Sequence, residues 1–470
     1  MTQPYDLVVI GFGAAGLSAA IAYTEAAEAT GRSPRIAVLE RAPREERGGA
    51  TQWTAALMRI AEDGRFDTNW RNLVDELGRG LSDSDYCSAL EREVPATLEF
   101  LTSHGVALER LSWPAPINFA HGEVAVQTVM HPVDGGAGIV AGLGARVESH
   151  ESTDIYYTTE AVRLSIGQDG AVDGVIARGA DGKLRTLYAV AVVIACGGFE
   201  GNAEMLTRYL GTNACDLKLI APGVGNNRGD GIRMATDIGA DTAGQFDMFH
   251  GEAVDSRTNS PDAVIWSAPY GILVNTAGRR FMDEGTNTLD RTFELVGYEI
   301  WRNQNQQAYW ITDQTVARLG LLELNFSDLP PVEAASIGEL AEKLGLDRES
   351  LEKTVAEYNA ACGPGTFDHT RLDGKTTVGL TPPKSNWANP LDRAPFLGYP
   401  LTTAITFTFG GLRTDLSGRV VTPGGNPIAG LYAAGEVTGL YYHEYPTATS
   451  VLRSVTFGRI AGAHAAGQLG

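Results

Sequence analysis

Apolar residues near the start of the chain change from a strand pattern to a helix pattern and back. The run LVVI is continuous and apolar, as in a strand covered on both faces, and the following AAGLSAAIAY has the composition of a helix. A second apolar run, IAVL, ends in the acid Glu40. The glycine turn GFGAAG lies between the first strand and the helix. This order of strand, turn, helix and strand predicts a Rossmann-type βαβ unit.

The residue types in the turn indicate how it would bind a nucleotide. Gly11 permits a tight turn, Gly13 has no Cβ to hold the backbone away from a pyrophosphate, and Gly16 lets the helix pack against the strand. The phosphates would lie at the helix N-terminus, where N–H groups are free. Glu40 is expected to accept hydrogen bonds from the ribose. The alternative is an ordinary turn between a strand and a helix.

Periodic apolar patterns continue along the rest of the chain. Residues 67–106 predict two helices, and residues 153–199 predict several strands. Helical patterns return at 229–240 and 336–361. The segment 362–390 is rich in Gly, Pro and polar residues and predicts a surface loop. Near the end, the strand IAGLYAA precedes a helix of small residues.

Composition limits the classes of protein to which this sequence can belong. With 470 residues the chain is too long for a single core, and two or three domains are expected. The formal net charge of −20 argues against nucleic acid or an anionic membrane as a partner. No apolar run is long enough for membrane insertion and the N-terminus has no signal-peptide pattern, so a cytoplasmic protein is expected. The four cysteines lack the spacing of a metal, haem or iron–sulfur site, so redox chemistry would need an organic cofactor.

Five segments occur in the same order as in a known flavoprotein family. They are GFGAAG, RGGAT, ACGGFEGN, GILVNTAGRRFMDE and the final pair IAGLYAAGEVTG and VTFGRIAG. As a set they resemble the family that contains soluble fumarate reductases, 3-ketosteroid dehydrogenases and tricarballylate dehydrogenase. The resemblance implies an α/β fold with a discontinuous Rossmann-type FAD-binding domain, residues 1–242 and 398–470, and an inserted α+β capping domain, residues 243–397. It implies FAD as the cofactor and no second nucleotide domain.

The resemblance also implies roles for individual positions. It places the glycine turn at the pyrophosphate, the end of the second strand at the adenosine, and the start of the last helix at the pyrimidine edge of the flavin. In membrane-associated succinate and fumarate enzymes a histidine attaches the flavin covalently, and the matching position here is Ala50, so non-covalent FAD is expected. The expected FAD-binding residues are Gly11, Gly13, Ala15, Gly16, Glu40, Arg41, Gly49, Ala50, Thr51, Gln52, Val162 at the adenine, Cys196, Gly197, Asp230 close to the flavin, Glu436 at the ribityl hydroxyls, Ser450, Val451 and Leu452.

On the substrate side the chain differs from the fumarate reductases. The position of their dicarboxylate-binding histidine is Thr406 and that of their arginine is Tyr445, so strict fumarate reduction is not expected. The segment from Tyr445 to Thr449 instead resembles the YPGAG segment of ketosteroid dehydrogenases, in which the tyrosine hydroxyl and a backbone N–H four residues later polarise the substrate carbonyl. By the same resemblance, His250 would orient the substrate and Arg291 would transfer a proton. An ordinary structural role is the alternative for each.

The resemblance implies an FAD-dependent oxidoreductase that transfers hydride between the flavin and a carbon β to a carbonyl or carboxylate. A carbonyl-polarising tyrosine suits this reaction, because negative charge develops on the oxygen in the transition state. A small carboxylate or carbonyl compound of the tricarballylate type is the favoured substrate, and a ketosteroid dehydrogenase or enone reductase is the alternative. A non-catalytic flavin-binding protein that serves as an electron-transfer partner stays open as a different class. A separate electron donor or acceptor is expected, and no metal.

Overall fold

The computed structural model describes residues 3–66, 70–111 and 129–468. Its helices are α1 (Ala14–Glu28), α2 (Trp70–Leu77), α3 (Ser84–Ser103), α4 (Gly135–Glu148), α5 (Ala203–Leu210), α6 (Asp230–Thr236), α7 (Leu289–Asn303), α8 (Gln314–Arg318), α9 (Ile337–Leu344), α10 (Arg348–Ala361) and α11 (Ser450–Gly467). Its strands are β1 (Tyr5–Ile10), β2 (Ile36–Leu39), β3 (Met58–Arg59), β4 (Leu108–Arg110), β5 (Val129–Pro132), β6 (Thr153–Tyr156), β7 (Glu160–Ile166), β8 (Val172–Arg178), β9 (Leu184–Ile194), β10 (Lys218–Leu219), β11 (Thr242–Ala243), β12 (Phe249–Asp255), β13 (Ile272–Val274), β14 (Ala308–Asp313), β15 (Val332–Ala334), β16 (Phe396–Thr408), β17 (Gly411–Leu412), β18 (Arg419–Val421) and β19 (Pro427–Ala433).

The main sheet is built around the predicted βαβ unit. Strand β1 pairs in parallel with β2 on one side and with β9 on the other, and β19 joins β9 in parallel. The order is β18-β19-β9-β1-β2-β6, and β8 and β7 extend antiparallel from β9. Leu7, Val8 and Val9 are fully buried, as the continuous apolar run predicts. The predicted α/β class is confirmed, and the carboxyl ends of β1, β9 and β19 meet at one edge of the sheet.

Helices α1 and α11 pack closely because both carry small residues. A Cβ added to Gly458 would lie 2.3 Å from the carbonyl oxygen of Ala15, and one added to Gly462 would lie 2.1 Å from that of Ala19. The two contacts are offset by the same number of residues, so the helices run in parallel. Helix α11 therefore starts about 12 Å beyond Ala15, which brings two helix N-termini to the same region.

A second sheet carries the other side of the cavity described below. The long strand β16 pairs with β12, β14 and β15, and β13 extends the sheet beyond β14. The predicted domain boundary at 397/398 falls inside β16, which is continuous from Phe396 to Thr408. The division of the chain into an FAD-binding domain and a capping domain stays a prediction.

The segment 362–390 is more firmly held than a surface loop. Lys384 and Trp387 are fully buried, and the Lys384 ammonium donates hydrogen bonds to the carbonyl oxygens of Pro269 and Gly271 at 2.7 and 2.8 Å. The sequence predicts a surface loop over this segment, and a surface position is wrong for these two side chains. Elsewhere, no helix in the described ranges combines the length and the apolar character needed to cross a bilayer.

Candidate active site

A cavity of about 580 Å³ lies at the carboxyl edge of the main sheet. It extends from the acid at the end of β2, past the N-terminus of α1, to the N-terminus of α11, and its far wall comes from the second sheet. The predicted residues that line it are Gly11, Gly13, Ala15, Glu40, Arg41, Gly49, Ala50, Thr51, Cys196, Gly197, Asp230, His250, Thr406, Glu436, Tyr445, Ser450 and Val451. The sequence motifs thus converge on one elongated space.

Other predicted residues lie behind this lining. They are Gly16, Gln52, Val162, Arg291, Thr449 and Leu452. The Val162 side chain is 37% exposed and leaves the opposite face of β7, whereas its neighbour Ala161 lines the cavity. The pairing of β7 with β8 shifts register between Ala161 and Arg163, and the predicted contact of Val162 with the adenine stays a prediction. For Gly16, a Cβ would lie 2.1 Å from the carbonyl oxygen of Gly11, which supports a packing role.

The glycine turn and Glu40 form the nucleotide end of the cavity. Gly11 has a φ of +115°, and a Cβ there would lie 2.3 Å from the carbonyl oxygen of Ala195. The Glu40 carboxylate accepts hydrogen bonds from the backbone N–H groups of Phe12 at 3.1 Å and Ala42 at 2.8 Å. Burial raises the pKa of Glu40, although these N–H groups oppose the shift. Glu40 is held in place, and a carboxylate has lone pairs left for ribose hydroxyls.

Arg41 and Asp230 form an ion pair, with Arg41 also contacting Glu160 at 3.0 Å. The other Arg41 nitrogen donates to the carbonyl oxygen of Asn226 at 3.0 Å. The expectation that Asp230 lies close to the flavin does not agree with this pairing, because Arg41 belongs to the strand end that was assigned to the adenosine. Asp230 begins α6, and its ion pair with Arg41 places it beside the end of β2.

The buried Glu200 lies next to the half-buried Glu436, which lines the cavity. The Thr408 N–H donates to Glu200 Oε1 at 2.7 Å and to Glu436 Oε1 at 3.0 Å, and the Asn227 amide donates to Glu436 Oε2 at 3.2 Å. Burial, and then the adjacent Glu436, raise the pKa of Glu200 well above its usual range. The shift favours the protonated form of Glu200, which lies next to Glu436, the residue predicted to hold the ribityl hydroxyls.

Tyr445 lies at the other end of the cavity with its hydroxyl fixed by the start of α11. The hydroxyl oxygen accepts hydrogen bonds from the N–H groups of Thr449 at 2.9 Å and Ser450 at 2.8 Å. The Thr449 N–H was expected to hold the substrate directly, but it holds Tyr445 instead. Because a tyrosine hydroxyl has one hydrogen and two lone pairs, these two bonds leave the O–H itself free to donate.

His250 lies beside Tyr445, with 4.8 Å between ring centroids. A β-bulge between His250 and Gly251 turns the histidine toward the cavity. Burial opposes its charged form, but hydrogen bonds to Glu252 and Glu294 outweigh burial and raise the pKa of His250 to about 10. The histidine is therefore an imidazolium whose Nδ1 donates to Glu294 at 3.0 Å and whose Nε2 pairs with Glu252 at 3.3 Å. Both ring nitrogens are bonded to carboxylates, so the predicted role of His250 in orienting the substrate would rest on its positive charge rather than on a free N–H.

Glu294 connects the parts of this end of the cavity. Besides His250, it accepts hydrogen bonds from the backbone N–H of Tyr445 at 2.9 Å and from the Tyr298 hydroxyl at 2.8 Å. Arg291, on the same helix, has a different environment. Its guanidinium pairs with Glu76 at 2.9 Å and lies 3.8 Å from Glu444, outside the cavity lining. This position does not support the expected role of Arg291 in proton transfer.

Sequence reasoning missed the acids around His250. Glu294 follows Asp290 and Phe293 on the buried side of α7, so an acid on the apolar face of an amphipathic helix was the signal that could have found it. Glu252 and Asp262 left no such signal. Both line the cavity, and burial together with the charge of Glu252 raises the pKa of Asp262 to about 7.

Comparison with known proteins identifies the fold family. Residues 6–450 match the family model described as an FAD binding domain. The chain belongs to this FAD-binding family. It is 26% identical to urocanate reductase from Eggerthella lenta over 99% of the chain and 75% of the relative, and 31% identical to 4-oxocyclohexanecarboxylate 2-dehydrogenase from Sinomonas cyclohexanicum over 76% and 65%. The structure of a 3-ketosteroid Δ4-(5α)-dehydrogenase from Rhodococcus jostii superposes with a TM-score of 0.72 at 24% identity, covering 99% of this chain and 98% of that one.

Membership of the FAD-binding family establishes the cofactor and the broad class. The protein is an FAD-dependent oxidoreductase that acts on CH–CH bonds. The chain spans between 29% and 77% of the length of the curated relatives compared. The substrate and the electron partner are therefore treated as proposals below.

The cavity residues fit FAD. Gly13 and the first residues of α1 line the cavity, Glu40 lines it at the end of β2, where it would hold the ribose, and the N-terminus of α11 lies farther along the same cavity. Thr51 Oγ1 accepts the Ala14 N–H at 3.1 Å, which ties the second glycine motif to the α1 terminus. FAD would supply the acceptor or donor of hydride, while Tyr445 and its neighbours would hold the substrate.

We expect FAD to be released intact when the protein is precipitated with acid. Ala50 lines the cavity at the position where a covalently linking family member has histidine, and a methyl group cannot form that link. All flavin absorbance should appear in the supernatant, with the spectrum of free FAD. Yellow colour that stays in the pellet after washing would contradict this expectation.

Proposed function

We propose that the protein adds or removes hydride at the carbon β to a carbonyl whose oxygen is held by Tyr445. The observation that carries the proposal is the Tyr445 hydroxyl in the cavity lining, held by the N–H groups of Thr449 and Ser450. A donor whose direction is fixed before the substrate binds stabilises the oxygen anion that forms as the double bond shifts. The neighbouring imidazolium of His250 favours the same negative charge.

Glu294 would act as a positioning residue in this arrangement. It holds the Tyr445 backbone and the His250 ring through its two carboxylate oxygens. Thr406 adds a hydroxyl to the lining, and its Oγ1 has no hydrogen-bond partner within the described residues. We propose that Thr406 contacts the substrate rather than the protein, as a second polar anchor beside Tyr445.

The lining bears on the choice among substrate classes. A tricarballylate-type substrate carries several carboxylates and would need cations to pair with them. The arginines of the described lining are Arg41, Arg228 and Arg453; Arg41 is paired with Asp230, and Arg453 donates to the carbonyl oxygens of Gly435 and Thr438. Glu252 and Asp262 line the substrate end instead. We therefore favour an unsaturated carbonyl compound with at most one carboxylate as the substrate, in preference to a tricarboxylate.

The names of the relatives support this chemistry. They include a reductase of urocanate, a dehydrogenase of 4-oxocyclohexanecarboxylate and 3-oxosteroid dehydrogenases. Electrons would come from, or go to, a separate partner, since the sequence has one nucleotide fingerprint and that one serves FAD. Whether that partner donates or accepts electrons would determine whether the protein reduces or oxidises its substrate in the cell.

A steady-state assay in both directions tests the proposed function. In the reductive direction, anaerobic consumption of reduced methyl viologen is followed with 2-cyclohexenone, urocanate and fumarate; in the oxidative direction, a dye acceptor is followed with 4-oxocyclohexanecarboxylate. We expect turnover with at least one conjugated carbonyl compound, and its loss in Tyr445→Phe. A flavin-loaded protein that turns over none of these compounds would support the non-catalytic alternative.

A further inference from the structure

Arg453 is a buried cation in the first turn of α11. It is 3% exposed and lines the cavity together with Ser450 and Val451. Its Nη2 donates hydrogen bonds to the carbonyl oxygens of Gly435 at 3.0 Å and Thr438 at 3.2 Å. Nε and Nη1 are buried and have no hydrogen-bond partner within the described residues. The fold therefore fixes the guanidinium through one nitrogen and leaves the other two unsatisfied.

Arg453 has no acidic partner among the residues that the structure describes. No carboxylate there forms an ion pair with its guanidinium, and Glu436, which follows Gly435 in the lining, is bonded to Thr408 and Asn227 instead. A guanidinium keeps its charge in proteins. Because a buried charge is costly unless an opposite charge lies nearby, this arrangement favours an anion in the cavity.

The titratable neighbours of Arg453 include three neutral groups. The guanidinium lies over the Tyr441 ring, with Cζ 4.9 Å from the ring centroid. Burial raises the pKa of Tyr441, Tyr86 and Cys87, although the charge of Arg453 opposes each shift. Neither the phenols nor the thiol ionises near pH 7, so none of them supplies a negative charge to Arg453.

Reduced FAD would bring a negative charge to this part of the cavity. When hydride reaches N5, the N5–H bond forms with the electron pair of the broken C–H bond of the substrate, and the flavin ring gains a negative charge over N1 and the C2 carbonyl oxygen. Both atoms belong to the pyrimidine edge, which is expected at Ser450 and Val451. The N–H groups at the start of a helix favour negative charge, and Arg453 adds a full positive charge to theirs.

The guanidinium is close enough to act on that charge. Its Nη2 is 3.0 Å from the carbonyl oxygen of Gly435, and Gly435 itself lines the cavity. A ligand atom in contact with Gly435 is then within about 10 Å of the guanidinium. At the effective dielectric constant of about 20 that describes protein interiors, two unit charges at this distance change an equilibrium constant by about tenfold or more.

We propose that Arg453 raises the reduction potential of the bound FAD by stabilising the negative charge of the reduced flavin ring from the first turn of α11. The inference rests on FAD as the cofactor and not on the identity of the substrate, so it does not depend on the role of Tyr445. It gives a function to a buried charge that neither the glycine turn nor the substrate contacts use.

Anaerobic redox titration of the FAD-loaded protein against a reference dye tests the inference without any substrate. Arg453→Met removes the charge and keeps a side chain of similar reach, whereas Arg453→Lys keeps the charge. In Arg453→Met we expect the equilibrium constant for two-electron reduction of the flavin to fall at least about tenfold, which is a potential lower by about 30 mV. Arg453→Lys should keep this constant within about threefold of that of the unaltered protein, because a lysine ammonium carries the same charge.

Arg459→Met is the matched control for the loss of charge. Arg459 lies on the same helix, and its guanidinium pairs with Glu93 at 2.6 Å outside the cavity lining. The same change in net charge should therefore leave the equilibrium constant for flavin reduction within about threefold. Each variant is titrated with FAD fully bound, as checked by the ratio of flavin to protein. If Arg453→Met does not fold, Arg453→Gln takes its place with the same expectation.

Two results would overturn the inference. One is an unchanged potential in Arg453→Met, which would assign the arginine to cofactor binding or to the packing of α11. The other is an equal fall in potential in Arg453→Met and in either Arg453→Lys or Arg459→Met, because the charge at position 453 would then not be the cause. Potentials that change as expected in a protein that turns over no conjugated carbonyl compound would contradict the proposed function alone.

Discussion

Replacing Tyr445 by phenylalanine is expected to lower turnover by about 10²–10³-fold while FAD content stays complete. The change removes the one hydroxyl that the Thr449 and Ser450 N–H groups direct into the cavity. It also leaves those two N–H groups without their acceptor, so the free energy of unfolding should fall by about 1–3 kcal/mol. Turnover under saturating substrate, the ratio of flavin to protein, and thermal unfolding measure the three effects separately.

Tyr441→Phe is the matched control for this variant. Tyr441 lies in the same aromatic group, with its ring centroid 5.1 Å from that of Tyr445, and its hydroxyl bonds Thr449 Oγ1 at 3.0 Å. It lies outside the cavity lining, so its removal should cost stability but little turnover. If Tyr445→Phe and Tyr441→Phe lose turnover equally, the loss comes from disturbing the N-terminus of α11, and the Tyr445 hydroxyl has no direct role in catalysis.

Gly13→Val is expected to give a folded protein without flavin. Gly13 has φ −84° and ψ −176°, a conformation that valine adopts without strain, and a Cβ there would lie 3.2 Å from Thr51 Oγ1, which can rotate away. The chain therefore accepts the side chain, but its methyl groups occupy the cavity beside the α1 N-terminus, where the pyrophosphate would bind. The absorbance ratio at 450 and 280 nm and the circular dichroism spectrum measure flavin and fold.

Gly16→Ala separates flavin loss from loss of fold. Its Cβ would lie 2.1 Å from the carbonyl oxygen of Gly11, inside the packing of helix against strand, so this variant should fail to fold or unfold at a much lower temperature. A Gly13→Val protein that keeps one FAD per chain would show that the glycine turn does not contact the cofactor.

The nucleotide end of the site could be predicted because its information is local. The turn, the helix start and Glu40 lie within one βαβ unit, and their spacing reports their geometry. The substrate end depends on contacts between distant parts of the chain: Glu294 meets His250 across 44 residues and Tyr445 across 151. The periodic pattern of apolar residues along the sequence gives no information about such long-range contacts.

Errors at the substrate end have the same origin. Arg291 and Glu294 are on one helix, but Glu294 faces the cavity cluster while Arg291 faces Glu76, and a motif match alone could not tell these directions apart. Likewise, Thr449 was correctly associated with Tyr445, yet its N–H binds the tyrosine rather than a ligand. The motif predicted which residues meet, and the structure shows which atom of each is used.

The most direct test of hydride transfer to a conjugated carbonyl compound is a single-turnover reoxidation. The FAD-loaded protein is photoreduced under anaerobic conditions and mixed in a stopped-flow instrument with 2-cyclohexenone or urocanate. The account predicts that absorbance at 450 nm returns with one equivalent of substrate, that the saturated product is recovered, and that Tyr445→Phe slows the return by about 10²–10³-fold. Reoxidation of the reduced flavin by dyes but by neither compound would contradict the proposed hydride transfer. Equal rates of reoxidation in the unaltered protein and in Tyr445→Phe would contradict the role of Tyr445.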